Sequence, residues 1–533
     1  MLRATLPLIV AAACDAPLRP DTTVPQRDAA ANPSPAAPPA PVSAATLFED
    51  VTGLARELAR AAYRPPGGNL PPALAGLDYD QYRSIRFRPE AALWRGAARF
   101  ELQLFHPGFI HREPVRLHLV EDGRITRVPF DATLFRYEGR AAPAAGAGSP
   151  DLGYAGFRIH YPLNDAAIKD ELAVFLGASY FRLLGRGHVY GLSSRGLAVD
   201  TALESGEEFP VFREFWLVRP APEATTATVY ALLDSPSVSG AYRFDLEPGA
   251  GTAVGVDARL FARADVAKLG VAPMSSMFLY GPNRLARFDD FRGRVHDSDG
   301  LLVHTAADEW IWRPLGNGPD VQVSAFPGGT PRGFGLVQRA RRFADYLDAE
   351  AGYHRRPSEW IVPLDGDWGG GRVELLEYAV GSEFNDNVAA YWVPDEPFGA
   401  GDERRYRYRI VMFDDRLAAQ TLAAVERTRI GWDALPGAHD PPPRSRRRFV
   451  VDFAGGALSA PDAPRPIGVL EASAGEVSDL VVHPLPDGAG WRASFRLAPA
   501  GREPVALSLY LVRDDRRLSE TWSYVWHPDH VRQ

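Results

Sequence analysis

Short runs that alternate apolar and polar residues dominate the chain. "ARFELQLFHPG" (98–108), "REPVRLHLVEDG" (112–123), "ATVYALLDS" (227–235), "GAYRFDLEPG" (240–249), "RVELLEYAVG" (372–381) and "RYRYRIVMF" (405–413) each step between the two kinds and stop at a Gly, Pro or Asp turn. Successive side chains of a strand point to opposite faces, so this period of two predicts strands with one face in a core. At such density it predicts stacked antiparallel sheets. The start of the folded region departs from it: "TLFEDVTGLARELARAAYRP" (46–65) spaces Leu47, Val51, Leu54, Leu58 and Ala61 at helical intervals and predicts one amphipathic helix ended before Pro65. "DAAIKDELAVFLGASYF" (165–181) and "GLVQRARRFADYLDAEAGYH" (335–354) also read as helical stretches that cover sheet edges or carry loops. They are too few for an α/β alternation.

A break rich in Pro, Gly and charge, "PDEPFGAGDERR" (394–405), separates two strand-like runs. Beyond it come about seven short strands, the rhythm of an immunoglobulin-like sandwich. The pattern therefore predicts an all-β protein: a large N-terminal β-sandwich over residues 45–396 and a smaller immunoglobulin-like β-sandwich over 402–533.

Composition adds limits. The 533 residues are 46% hydrophobic and 24% charged, enough for two or three domains with sizeable cores. Net charge is -8, from 59 Lys and Arg against 67 Asp and Glu, which gives no electrostatic reason to expect nucleic acid. Aromatics make up 11%, with 11 Trp and 19 Tyr, and such rings on a concave β surface suit the stacking of sugars. The first residues, "MLRATLPLIVAAACDAPLRP", carry Arg3, an apolar stretch from Leu6 to Ala13, and then Cys14, the one cysteine. Residues 1–14 read as a secretory signal peptide. They also resemble a bacterial lipoprotein signal in which Cys14 becomes the lipidated first residue, although Ala11 stands where that pattern prefers Leu. Both readings stay open, and a single thiol forms no intramolecular disulfide. Residues 15–44 form a Pro/Ala-rich linker, extended by its prolines and too poor in apolar surface to fold.

Two segments hold candidate chemistry. In "FRGRVHDSDGLLVH" (291–304), Asp297, Ser298 and Asp299 run into Gly300, a turn composition whose side chains commonly bond their own backbone. The oxygen series stops too early for a calcium loop, and His296 and His304 lack zinc spacing, so no metal site is expected. No G-x-S-x-G elbow occurs. "DGDWGGGRVELLE" (365–377) reads as a tight turn, since it lacks the Lys and the following helix of a phosphate cradle, and no cofactor is expected. "GSEFNDNVAAYW" (381–392) packs Glu383, Asn385, Asp386 and Asn387 against an apolar run, and reads either as a loop or as half of a catalytic site. Paired carboxyls are the machinery of glycoside hydrolysis. Burial of Asp386 against aromatic rings would keep it protonated near neutrality.

Eight segments, "FLGASYFR", "YGLSSRGLAVDT", "SGAYRF", "HDSDGL", "EWIWRPL", "RGFGLVQR", "RRPSEWIVP" and "EFNDNVAAYW", resemble the periplasmic glucan biosynthesis proteins of the OpgG/OpgD (MdoG-like) family from about Leu47 onward. The resemblance implies a galactose-mutarotase-like N-terminal β-sandwich followed by an immunoglobulin-like domain. It also implies a role on β-1,2-linked periplasmic glucan, with relatives that are anomer-inverting β-1,2-glucanases. By resemblance Asp386 is the general acid, and Asp297 is the general base acting through a relay of water and sugar hydroxyls. Glu383, Tyr353 and Arg356 line the cleft by the same comparison, and "GWDALPGAHDPPPRSRRR" (431–448) matches a mobile loop that reaches over it. Trp310 and Trp312 are candidate stacking platforms, with core packing as the alternative. Hydrolysis, transfer of the cleaved chain to a glucan hydroxyl, and non-catalytic glucan binding in assembly all stay open. So does pairing as a homodimer, to which no surface is assigned.

Overall fold

The strand Glu403–Phe413 shows the alternation at its cleanest. Tyr406, Tyr408, Ile410 and Met412 point into a core while the arginines between them face out. Arg405, Arg407 and Arg409 pair there with Asp257, Asp365 and Glu247, each at 2.6 Å. The computed structural model describes residues 44–530 apart from 68–69, 284–287, 435–436, 438 and 460–463. Cys14, the signal segment and the linker through residue 43 lie outside the described residues.

Two large sheets face each other. One of ten strands runs from Glu101–Phe105 through Gly156–Tyr161, Asp170–Leu176, Tyr180–Leu183, Ser193–Arg195, Leu269–Ser276, Val388–Pro394 and Gly371–Glu377 to Gln322–Pro327. The other, of fifteen strands, has Ala253–Ala262 beside Glu403–Phe413 near its middle. Phenylalanines fill the gap: Phe157 meets Phe215 edge-on at 5.0 Å, and Phe175 meets Phe244 at 5.3 Å. The fold is all-β, as its alternation predicts.

Ala44–Arg60 forms the expected helix, and its apolar stripe of Leu47, Phe48, Val51 and Ala55 covers Trp216, Tyr230 and Leu232 on the outside of the larger sheet. A helix leaves its last carbonyls without partners. Here Arg263 donates from Nη2 to Leu58 O at 2.8 Å and from Nε to Ala61 O at 2.9 Å, and Nη2 also pairs with buried Asp234 at 2.6 Å.

Three expectations change. Residues 165–181 are not helical but supply the strand Asp170–Leu176 and lead into Tyr180–Leu183. Sandwiched interior strands lose their alternation and imitate a buried helix. Residues 335–354 begin in the strand Gly333–Val337 and keep the short helix Phe343–Tyr346 and the start of a 3-10 turn, Tyr353–Arg355. The boundary expected at 396–402 falls inside the larger unit. Glu403–Phe413 pairs on one side with Ala253–Ala262 and on the other with Ser358–Gly366, and its inward side chains complete the larger core.

After Phe413 a four-stranded sheet of Ala424–Trp432, Arg447–Ala454, Trp491–Ala498 and Glu476–Pro484 covers the end of the fifteen-stranded sheet. Their shared core joins Phe449, Phe495 and Trp522 to Leu302, Trp310, Trp312 and Trp360 from earlier in the chain. The strand Trp310–Pro314 pairs in parallel with Thr521–Trp526, so one sheet runs unbroken through both parts.

Candidate active site

Strand parity decides which face of the ten-stranded sheet carries polar groups. Phe181 and Met274 belong to the core between the sheets, and Ser194 turns inward to donate to Glu359 at 2.7 Å. Their neighbours Tyr180, Arg182, Ser193, Arg195 and Ser275 therefore face outward. Arg195 is buried there, paired with Glu207 at 2.8 Å and lying 5.0 Å over the Tyr180 ring.

The loop 378–387 joins two adjacent strands of this sheet, Gly371–Glu377 and Val388–Pro394. Asn387 is wholly buried. Its side chain accepts from the Phe278 amide at 2.8 Å and donates to the carbonyls of Phe278 and Tyr378 at 3.1 and 2.9 Å. Its own amide donates to Ser276 O at 3.0 Å. A buried amide must find such partners, and these hold Asp386, the residue before it, in place. Tyr378 adds a hydrogen bond from its hydroxyl to the Asp386 carbonyl.

The next carbonyl of the same segment, Met277 O, accepts the Asp297 amide at 2.8 Å. Two aspartates from distant parts of the chain are thus anchored to consecutive residues, one directly and one through Asn387. In the turn after Asp297, Asp299 accepts the amides of Arg339 and Ala340, both at 2.7 Å, and Ser298 bonds Ser276 at 2.8 Å. Burial pushes the Asp299 carboxyl up, but His296, Arg294 and the two amides outweigh it and hold the group below its usual range. Asp299 is thus a brace held by backbone amides, and Asp297 is the carboxyl of this turn that pairs with Arg356.

Asp297 is buried and gripped by Arg356, whose Nη1 donates to Oδ1. Arg356 lies 4.0 Å over the Tyr353 ring, and Tyr353 donates to Glu383 Oε2 at 2.9 Å. Arg292 closes the row, donating to the same oxygen at 2.8 Å and to Asp348 at 2.9 Å. Gly191, from "YGLSSRG", makes room for this row: a Cβ there would stand 2.9 Å from the Cβ of Arg356.

The two carboxyls differ in their surroundings. Burial pushes Asp297 up, and Arg356 opposes it. Asp386 is half-buried, and its Oδ2 is sealed from solvent without a hydrogen-bond partner among the described residues. Burial raises it to about 6; Arg182 pulls the other way, the charge of Asp297 adds to the rise, and Arg356 and Arg195 oppose it more weakly. Asp386 thus senses the charge of Asp297.

The structure therefore gathers Asp386, Asp297, Glu383, Tyr353 and Arg356. It does not gather Trp310 and Trp312. Both are buried in the second core, with His304 stacked on Trp310 at 4.0 Å and Arg339 lying 3.7 Å over Trp312. With their faces covered, these rings are core and the stacking expectation is corrected. Large exposed aromatics sit instead beside the ion pair of Arg292 and Glu383: Phe291 and Phe384 are 75% and 72% exposed. Sequence reasoning also missed Arg182, Tyr378 and Arg292. Arg182 ends "FLGASYFR", and reading that segment as a strand would have set it on the face opposite Phe181. Residues 435, 436 and 438 of the expected mobile loop lie outside the described residues. In its described part, Asp433 pairs with Arg446, Arg448 and Arg496 at 3.2, 3.1 and 3.0 Å, and Arg444 covers Trp432 at 3.8 Å. Among the described residues no group of three or more His, Cys, Asp or Glu could hold a metal ion, and no helix is long and apolar enough to cross a membrane.

The protein is thus an all-β sandwich with two aspartates, Asp297 and Asp386, held in neighbouring loops beside one sheet. The family model "Periplasmic glucan biosynthesis protein, MdoG" matches residues 47–526, and the chain belongs to this family. It is 47% identical to a "Glucans biosynthesis protein G" of Rhodopseudomonas palustris, over 90% of this chain and 93% of that one. It is 44% identical to the protein of the same name from Bradyrhizobium diazoefficiens, with the same coverage, and 42% identical to that of Vibrio cholerae, over 90% and 86%. A solved polysaccharide lyase matches 64% of this chain and 40% of its own with a TM-score of 0.19 at 11% identity, too slight a likeness to carry an argument. Membership places the chain in the periplasm, in glucan biosynthesis.

Proposed function

We propose that this protein processes β-1,2-linked glucan as an anomer-inverting glycoside hydrolase, with Asp386 as general acid and Asp297 as general base. Inversion needs one carboxyl that carries a proton and one that lacks it, on opposite sides of the bond. Asp386 suits the first role, because burial raises it to about 6 and its Oδ2 has no hydrogen-bond partner among the described residues. Asp297 suits the second by its contact: burial raises this carboxyl, and the Arg356 guanidinium that donates to its Oδ1 opposes that rise. The observation that carries the reading is the anchoring of both residues at Ser276 and Met277. The β-1,2 linkage and the relay through which the base acts rest on the family resemblance. Arg356, Tyr353 and Glu383 orient the sugar, and the exposed Phe384 ring offers it a face.

Purified protein incubated with linear β-1,2-glucan provides the test. Shorter reducing chains released with inverted configuration support hydrolysis. Products lighter by one water mean that a glucan hydroxyl replaces water, which makes the protein a transglycosylase with the same two carboxyls. If Asp386→Asn still supports glucan production in cells, the catalytic reading fails in favour of a binding role in assembly. Anchoring through a lipidated Cys14 and pairing as a homodimer belong to the same proposal; the mass of the mature N terminus and sedimentation test them.

A further inference from the structure

One short segment, Gln338–Arg341, touches the chain on both sides of the proposed base and the cation that pairs with it. Gln338 is wholly buried; its side-chain amide donates to His296 O at 3.0 Å, the residue before Asp297, and to Tyr353 O at 3.3 Å. The amides of Arg339 and Ala340 hold Asp299, two residues after Asp297. Arg341 donates to the carbonyl of Arg356, the partner of Asp297. Base, partner and cleft tyrosine thus hang on four consecutive residues.

That segment is gripped from the C-terminal part of the chain. Arg339 forks onto Glu520, with Nη1 to Oε2 at 2.9 Å and Nη2 to Oε1 at 2.6 Å, and Nη1 also donates to Val425 O at 2.6 Å. Glu520 has no exposed surface, and it also accepts the Val425 amide at 2.8 Å and the Gln420 side chain. Trp312 backs the guanidinium. An ion pair this deep adds little net stability, and its best-attested use is to select one geometry.

We infer that Glu520 and Arg339 are positioning residues for the base: the C-terminal part of the chain sets the distance between Asp297 and Arg356 through the segment 338–341. This rests on the reading of Asp297 as base. Neither residue touches the reacting atoms. The charged and titratable groups that face Asp297 are Arg356, Arg182, Glu383, Asp386 and the Tyr353 hydroxyl. Loosening the clamp weakens the first of these contacts and leaves the others.

The test compares Glu520→Gln and Arg339→Lys with Glu309→Gln, which breaks a second ion pair across the same seam, Glu309 with Arg517 at 2.6 Å, away from the base. With β-1,2-glucan, the first two variants are expected to lose about tenfold to a hundredfold in kcat with KM nearly unchanged. The acidic limb of their pH profile is expected to move to higher pH, because a base held less firmly by its cation keeps its proton longer. A smaller folded fraction would lower the rate without moving the limb. Hydrogen exchange needs no turnover: in Glu520→Gln it should rise at residues 295–299 and 353–356 and stay at the wild-type level there in Glu309→Gln. Wild-type kcat, limb and exchange in Glu520→Gln overturn the inference, as does an equal effect from Glu309→Gln. If Glu520→Gln fails to fold, Arg339→Lys, which keeps the charge but not the fork, decides by the same readouts. If the wild type shows no turnover of the glucan, the reading of the site fails, and exchange alone judges the clamp.

Discussion

Tyr353 donates its hydroxyl proton to Glu383 across 2.9 Å while its ring supports Arg356. One side chain thereby joins the loop that carries Asp386 to the cation that grips Asp297. Tyr353→Phe keeps the ring and deletes the donor. A hydrogen bond to a charged acceptor contributes about 1.5–3 kcal/mol, so kcat/KM on β-1,2-glucan is expected to fall about tenfold or more while Arg356 stays in place. Steady-state kinetics of this variant check it, and an unchanged kcat/KM counts against the row of contacts as a working unit.

On the proposed mechanism the protonated form of Asp386 is the one that catalyses. With that carboxyl raised to about 6, kcat/KM is expected to fall as pH rises through about 6. Arg182 favours the charged form of Asp386, so Arg182→Gln should carry the basic limb to higher pH. Initial rates across the pH range for wild type and variant decide it; a limb that stays put or moves down contradicts the assignment of the acid.

Glu359 is buried between the sheets with one hydrogen bond, from Ser194 at 2.7 Å, and burial raises it from 4.5 to about 7. The unfolded chain releases this proton near 4.5 and the folded chain near 7. Between those values the folded state binds more protons, so stability falls as pH rises and levels off above 7. Glu359→Gln removes the loss. It should stabilise the protein by up to about 3 kcal/mol above pH 7, fading toward zero below pH 4.5. Urea unfolding of both proteins at the two ends of that range is the measurement, and an equal difference at both ends rules the mechanism out.

Phe384 and Trp312 should behave in opposite ways. The Phe384 ring is exposed beside Glu383, so Phe384→Ala should weaken glucan binding roughly threefold to tenfold, the scale of one ring stacking contact, with unfolding unchanged. Trp312 is buried under Arg339. Its replacement by Ala should cost about 3–5 kcal/mol of stability and leave the affinity of the folded fraction alone. Calorimetry with β-1,2-glucan in an Asp386→Asn background reads binding without turnover.

Much of the fold is written in local periodicity. Strands such as Glu403–Phe413 and the helix Ala44–Arg60 need only their own residues to show which side faces a core, because side-chain direction repeats within the element. Where both faces are covered that signal vanishes, and "DELAVFL" reads as a helix although it is a strand. "RARRFADY" lies in the stretch expected to be helical; two of its arginines, Arg339 and Arg341, clamp distant backbone and Glu520 instead.

The amino-acid sequence by itself determined the class of fold and the two acidic segments, "HDSDG" and "EFNDN", since turn composition and alternation are local properties. Only the tertiary structure decided that Asp297 braces against Arg356 while Asp386 keeps an oxygen free, and that Trp310 and Trp312 lie in a core. Those outcomes depend on which strands become neighbours and in what register, and register is fixed by packing between residues far apart in the chain.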